Sequence, residues 1–247
     1  MNNKLLIFIP TFNEAENVNI IYQMIKSLHL SISYDILFLD DNSPDGTGSI
    51  IDKLCEEDKQ LFVIHRKDKQ GIGSAHQTGI DWAYEHNYEA LITMDCDLTH
   101  SPEYILDFYN AGKSTPIVIG SRYMDIDSLK TWNIFRKTLT RFGHFLTKHL
   151  LNMPFDASGA FRFYDLKKIP HAVFLLVESK SYSFFFESLL ILHLNKFEVK
   201  EISIKLPKRT YGDSKMNFID AWTSFQFLFK MFLKKNFNLI SLIYNGK

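Results

Sequence analysis

The sequence predicts an α/β fold, a mainly parallel sheet with helices on both faces. Three observations lead there. Short, continuous apolar runs recur through the first 120 residues and alternate with helical patterns. Charged or polar residues stand where those runs end, the place where open α/β sheets bind ligands. The chain has 247 residues, 46% hydrophobic and 23% charged, enough for one large globular domain or two small ones.

The elements follow in order. Leu5-Leu6-Ile7-Phe8-Ile9 reads as a buried strand. Asn13 stands where a helix cap belongs, with Glu16 three residues on as in a capping box. Val18, Ile21, Tyr22, Ile25 and Leu28 then form one apolar helical face. Ile36–Leu39 is a second strand ending in Asp40-Asp41, and Leu61–Ile64 a third. A helix is expected from about Ser74 to Glu85. Ala90–Met94 is a fourth strand, ending in Asp95-Cys96-Asp97, and Pro116–Ile119 a fifth, ending in Gly120-Ser121-Arg122. The second half is less regular. Helices are expected over Trp132–Leu151, Phe184–Leu194 and Phe218–Lys235, with a half-exposed strand over Val199–Leu206.

Composition excludes several classes. The balance of apolar and charged residues is not that of a disordered or fibrous chain. Two cysteines, Cys55 and Cys96, make neither a disulfide framework nor a zinc motif and fit a reducing compartment. No signal-like segment and no run of 18 apolar residues is present, so no transmembrane helix is expected. Nothing points to nucleic acid as a partner. The formal net charge of zero hides an asymmetry: from Lys196 onward there are ten Lys and Arg against four Asp and Glu. A basic C-terminal fifth suggests an anionic partner or surface.

The motifs sharpen the strand ends into a site. Two carboxylates one residue apart, Asp95 and Asp97, repel unless a hard divalent cation, completed by phosphate oxygens, sits between them. Asp40–Thr47 is a polar turn that can hold a nucleoside or serve only as a turn. Gly71-Ile72-Gly73-Ser74 can bring backbone amides to a ligand. Lysines number 22 and arginines six, so arginine stands where a planar, bidentate donor suits phosphate. Arg122 follows a strand end directly, and Arg209 lies in a basic run six residues before Lys215.

Taken in order, Ile9-Pro10-Thr11-Phe12-Asn13-Glu14, Asp40–Thr47, Gly71–Ala75, Asp95–Glu103, Gly120–Tyr123, Trp132 with Arg136, Ser158–Arg162 and Arg209–Lys215 resemble the glycosyltransferases of family 2. Within that family the chain is most similar to the dolichol-phosphate and polyprenol-phosphate mannosyltransferases. The resemblance implies a Rossmann-like GT-A fold and an inverting single displacement. In it a lipid phosphate attacks the anomeric carbon of GDP-mannose. Carried over by motif, Pro10, Phe12, Glu14, Leu39, Asp41, Asp95, Cys96, Asp97, Arg122, Arg209 and Lys215 would line the donor site. Asp95, Asp97 and Thr99 would hold Mg²⁺ or Mn²⁺. Asp97, Arg122, Arg136, Arg209 and Lys215 would serve catalysis, with Arg136 on the acceptor phosphate. Thr99 replaces the Ser or Gln of the family, and Ser101 the first of two prolines. The spacing of Asp156–Arg162 also departs from the family pattern.

The resemblance spans about residues 5–216, so 1–215 is read as the transferase domain. Residues 216–247 are read as an amphipathic segment with a membrane-surface or packing role. Phe218, Trp222, Phe225, Phe229 and Phe232 recur at helical spacing among Lys230, Lys234 and Lys235, as in a helix lying on a membrane. The expected location is peripheral, at the cytoplasmic face of a membrane, with an anchoring partner protein as an option. Two other readings stay open. One is a transferase of the same fold using another nucleotide sugar, such as UDP-glucose, or a glycan hydroxyl acceptor with Asp156 or Glu187 as base. The other is a non-catalytic nucleotide-sugar-binding subunit.

Overall fold

The structure is a computed structural model that describes residues 4–125, 127–130, 132, 134–207, 211 and 218–246; the side chains of Phe135, Arg136 and Phe218 fall outside that description. Among the described residues seven strands form one sheet: β1 Leu5–Thr11, β2 Tyr34–Asp40, β3 Leu61–His65, β4 Ala90–Thr93, β5 Ile117–Ser121, β6 Arg162–Asp165 and β7 Val199–Ser203. Their order across the sheet is β3-β2-β1-β4-β6-β5-β7. All pairings are parallel except those of β6, which runs antiparallel to both β4 and β5. The sheet is therefore mainly parallel, as expected, with one reversed strand inserted in it.

The helices are α1 Ala15–Ser27, α2 Thr47–Glu57, α3 Ile72–Glu85, α4 Ile105–Gly112, α5 Ile134–Leu150, α6 His171–Phe174, α7 Phe184–Leu194 and α8 Phe218–Phe237. The strand period of two sorts β1 between two cores. Leu5, Ile7 and Ile9 pack with α1, α2 and α4, while Leu6 and Phe8 pack with α3, α6, α7 and α8. Both faces of the sheet are thus covered, which is why β1 and β2 are buried along their whole length.

Three elements escape a reading by apolar pattern. Strand β6 is only Arg-Phe-Tyr-Asp, with charges at both ends. Helix α2 buries only Thr47, Gly48 and Ile51. Helix α4 is eight residues long. The strand expected over Val199–Leu206 ends at Ser203, although Ile204 and Leu206 are still buried.

Two local expectations are corrected. Asn13 does not cap α1; it sits in the left-handed region (φ 54°), and Glu14 occupies the N-cap position without a side-chain cap bond. Oxygens of the β2–α2 loop supply the acceptors instead. Glu14 N–H donates to Thr47 Oγ1 (2.9 Å), and Ala15 N–H donates to Asp45 Oδ2 (3.0 Å). The Gly71–Gly73 turn, expected to bring amides to a ligand, is a packing device. A Cβ at Gly73 would lie 2.6 Å from the Ser181 carbonyl oxygen and 2.7 Å from Phe184 Cβ.

Candidate active site

The carboxyl ends of β1, β2 and β4 gather the acidic residues. Pro10 and Thr11 of β1 lie in register with Leu39 and Asp40 of β2. Thr11 Oγ1 donates to the Leu39 carbonyl (3.1 Å) and Ser43 N–H donates to Asp40 Oδ2 (3.1 Å). Asp40 is thereby satisfied within its own loop. Asp41, also buried, pairs with the Arg66 guanidinium, which further donates to Ser74 Oγ (3.0 Å) and the Gly71 carbonyl (3.4 Å). Glu14 accepts a hydrogen bond from Asn17 Nδ2 (2.6 Å). Burial works against ionisation of Asp45, yet hydrogen bonds from Thr47 and Ala15 hold its carboxyl below the usual range. These loops are held by hydrogen bonds among their own polar groups.

The turn after β4 holds the Asp-Cys-Asp motif. Thr99 donates to Asp97 Oδ1 from both its N–H (3.0 Å) and its hydroxyl (2.6 Å). The Thr99 hydroxyl thereby steadies the Asp97 carboxylate. Leu98 adopts φ 62°, the left-handed bend that lets the turn fold back. The buried His100 accepts the Asp95 N–H at Nδ1 (2.9 Å). Cys96 is buried and forms no disulfide.

Among the described residues no three His, Cys, Asp or Glu side chains are grouped to hold a metal ion. Asp95 and Asp97 are two hard oxygen donors at one strand end. This donor set fits an ion that completes its shell with diphosphate oxygens and water.

The ends of β5 and β6 carry a different arrangement. Arg122 donates to Asp156 Oδ2 from its backbone N–H (3.0 Å) and Nε (2.7 Å), and to Oδ1 from an NH₂ group (2.5 Å). Burial opposes both charges. The mutual attraction nonetheless drives the Asp156 carboxyl below its usual range and the Arg122 guanidinium above its own. Arg162 is fully buried at the start of β6. Its guanidinium donates to the carbonyls of Gly159 (2.8 Å), Ala157 (2.9 Å) and Phe185 (2.7 Å), so it clamps the loop that carries Asp156.

Of the expected site residues, the structure brings Pro10, Leu39, Asp41, Asp95, Cys96 and Asp97 to adjoining strand ends, with Phe12 and Glu14 on the loop after β1. Arg122 stands across β6 from them. Arg209, Lys215 and the Arg136 side chain lie outside the described residues. Reading the motifs assigned no part to Arg66, Asp45, His100 or Arg162. The rarity of arginine was the signal pointing at Arg66, and Arg162 also closed the Ser158–Arg162 motif. Asp156 and Glu187, considered as bases for a hydroxyl acceptor, are both otherwise engaged. Asp156 is tied to Arg122. Glu187 is buried, which pushes its carboxyl upward, and it accepts the backbone N–H groups of Glu178 (3.1 Å) and Ser179 (2.8 Å).

The family described as glycosyl transferase family 2 matches residues 6–170. The chain belongs to this family. The match covers β1 through β6 and both charged strand-end clusters. Among curated proteins, the polyprenol monophosphomannose synthase of Mycolicibacterium smegmatis is 33% identical over 219 residues, covering 87% of this chain and 81% of the relative. The undecaprenyl-phosphate mannosyltransferase of Micrococcus luteus is 31% identical over 216 residues, covering 87% and 88%. Among solved structures, mannosyl-3-phosphoglycerate synthase from Rubrobacter xylanophilus aligns with a TM-score of 0.68 at 16% identity, covering 99% of this chain and 78% of that one. Glucosyl-3-phosphoglycerate synthase from Mycobacterium tuberculosis, in complex with Mn²⁺, UDP and glucosyl-3-phosphoglycerate, aligns with a TM-score of 0.66 at 12% identity, covering 94% and 80%. These structures share the GT-A fold with this glycosyltransferase.

Helix α8 divides its apolar residues between two faces. Leu228 and Met231 are buried in the core, and Phe227 and Phe232 pack against it. Trp222, Phe225, Phe229 and Leu233 are exposed. Helix α5 exposes Leu139, Phe142 and Phe145 as well, which the sequence pattern did not single out. Two lysines expected at lipid headgroups have a partner in the protein: Lys230 and Lys234 bind the Glu178 carboxylate at 2.9 and 2.6 Å. Among the described residues no helix is long and apolar enough to cross a membrane.

Proposed function

We propose that this glycosyltransferase moves mannose from GDP-mannose to a polyprenyl phosphate by an inverting, metal-dependent single displacement. The observation that carries the acceptor class is the bidentate bond between Asp156 and Arg122. It engages a carboxylate that could otherwise serve a sugar hydroxyl as base and orients a cation beside it. A phosphate monoester, with a second pKa of about 6, is already largely dianionic near neutral pH and needs no such base. The names of the two curated relatives support the same acceptor.

The catalytic task is then placement and charge stabilisation. The Asp40–Thr47 loop and Arg66 hold the nucleoside side, with Asp41 facing the base or ribose. When bound to Asp95 and Asp97, Mg²⁺ or Mn²⁺ supplies positive charge beside the leaving diphosphate. Thr99 keeps the Asp97 carboxylate in one orientation for it. Arg122, fixed by Asp156, meets the incoming phosphate together with Arg136. Arg209 and Lys215, on the segment between β7 and α8, serve the diphosphate. The exposed aromatics of α8 set the enzyme on a membrane surface, where the acceptor phosphate lies at headgroup level.

The test is turnover with GDP-mannose or UDP-glucose, a short polyprenyl phosphate and either metal. GDP-mannose is expected to be the better donor, and EDTA to stop the reaction. Asp97→Asn should lose about a hundredfold or more in turnover with its thermal melt unchanged. A preference for UDP-glucose would refute the donor assignment, and full activity in EDTA the metal.

A further inference from the structure

Helix α5 is attached to the body of the protein unevenly. Near its end Thr147 is buried, and Leu146 and Leu150 pack against the core. Along the earlier turns Ile134, Leu139, Phe142 and Phe145 are exposed. Arg136, which the reading above sets on the acceptor phosphate, belongs to that exposed part of the helix.

A residue at the neighbouring strand end makes up for the missing core contact. Tyr123 follows Arg122 directly after β5. Its hydroxyl donates to the Thr140 carbonyl (3.1 Å). Its ring stacks on the His144 imidazole, with centroids 4.0 Å apart and planes 21° from parallel. Thr140 and His144 are about one helical turn apart, so a single side chain grips α5 at two points. The same ring lies 5.7 Å from the guanidinium carbon of Arg122. His144 Nδ1 is buried without a hydrogen-bond partner. Burial lowers the imidazole pKa below its usual value; Asp156 and Glu201 pull it up, and Lys148 and Arg122 push it further down. The ring in the stack is therefore neutral at neutral pH. A surface hydrogen bond from Lys137 Nζ to the Lys130 carbonyl (3.1 Å) adds a tie nearer the start of the helix.

We propose that Tyr123 is a positioning residue for the acceptor phosphate: it locks α5 to the strand end that carries Arg122 and so sets Arg136 opposite Arg122. This rests on the reading above, that these two arginines meet that phosphate. Arg122 is already fixed by Asp156, so the second cation is the one left to be placed. Arg136 precedes Thr140 by four residues, about 6 Å along the helix axis. A phosphate shared by two cations is oriented only when both are held, and a displacement of about 1 Å can cost a hundredfold in rate.

The experiment measures kcat and KM for a short polyprenyl phosphate, with GDP-mannose and Mg²⁺. The proteins are the parent, Tyr123→Leu, His144→Ala and His144→Phe, each alone and combined with Arg136→Gln. Metal-dependent GDP binding and amide exchange over residues 134–145 are read alongside. Tyr123→Leu and His144→Ala should each raise the acceptor KM about tenfold and speed that exchange, with GDP binding unchanged. His144→Phe restores a ring to the stack and should stay within about twofold of the parent. In the Arg136→Gln background, Tyr123→Leu should cost less than about twofold more, because the cation it places is gone.

A residue that merely supports the fold would add its full loss in that background, and such additivity overturns the proposal. So does an unchanged acceptor KM in Tyr123→Leu, or GDP binding that weakens as far as the acceptor KM rises. If Arg136→Gln alone leaves the acceptor KM unchanged, the phosphate reading of Arg136 fails and takes the proposal with it. A loss in Arg136→Gln with an additive Tyr123→Leu sinks the proposal alone. His144→Ala removes the stack from the helix side and carries the same cycle should Tyr123→Leu not fold.

Discussion

Asp40 and Asp45, at and beyond the end of β2, and Asp156, beside the ends of β5 and β6, are satisfied in opposite ways. Asp41 with its buried partner Arg66 shows that the first side holds an ion pair too. On the first side, Asp40 and Asp45 are satisfied by several neutral donors, namely Thr11, Ser43, Thr47 and the backbone of Ala15. On the second side, one carboxylate, Asp156, takes three hydrogen bonds from one residue, Arg122. Shared satisfaction tolerates the loss of a member. A concentrated buried pair does not, because removing either partner strands the other charge away from water.

The comparison breaks most visibly at Asp156. Asp156→Ala should destabilise the protein by about 3–5 kcal/mol, read by urea or thermal unfolding, because it leaves the Arg122 guanidinium buried without its counter-ion. The pair is acid-labile in a defined direction. The Asp156 pKa lies below its unfolded value, so its contribution is complete above about pH 4 and is lost as pH falls through the folded pKa.

His76 of α3 tests how far the charged cluster reaches into the core. It is fully buried among Phe8, Phe184 and Phe185, and its Nε2 has no partner. Burial first, then the nearby Arg162 guanidinium, lowers its pKa to about 3. Between pH 6.5 and 3 the unfolded chain binds the proton that the folded one refuses, so stability rises with pH across that window. From pH 6.5 to pH 5 the loss should be about 2 kcal/mol. In His76→Phe that dependence should flatten, as measured by urea midpoints at the two pH values.

Asp45→Ala on the shared side should cost about 1 kcal/mol, the usual worth of a cap, since Thr47 still serves Glu14. A loss as large as that of Asp156→Ala would erase the distinction between the two sides. The smallest stability effect is expected on α8. Changing the exposed Trp222, Phe225 and Phe229 to Ser should leave the unfolding midpoint within about 1 kcal/mol of the parent, while sedimentation with anionic vesicles falls. Unchanged sedimentation would move membrane contact to another face, with α5 the next to test.

The two regions also differed in how far the sequence disclosed them. Strands β1, β2 and β4 are continuous apolar runs with acidic ends, and a run of that kind reports both a buried strand and the polar end where open α/β sheets bind ligands. The second region is built from long-range partners. Asp156 meets Arg122 across 34 positions of sequence, and Arg162 reaches the Phe185 carbonyl across 23. No local periodicity encodes such pairs. Strand β6 is too short and too charged at its ends for alternation to appear. At α1 the sequence offered a plausible local cap in Asn13, but the loop of Ser43, Asp45 and Thr47 supplied better acceptors and turned Asn13 into a left-handed joint. The stripe on α8 was legible as a stripe; which side of it the core would take was not, because that depends on where α7 lies.

The reversed strand has a consequence for how the enzyme comes into being. Strands β4 and β5 are parallel to each other, yet they never pair, because β6 lies between them and is about 40 residues further along the chain than β5. As synthesis proceeds, β1 to β4 can zip as each strand emerges, but β5 has no neighbour to join until residues 162–165 are free. The Asp-Cys-Asp turn and Arg122 would thus reach their working separation, two strand spacings or about 9.5 Å, only when that late insertion closes the sheet. Such a long-range step is slow compared with local pairing. A chain halted before Asp165 would hold β1 to β4 beside an unpaired edge, making β6 the keystone of assembly and its absence an invitation to aggregate.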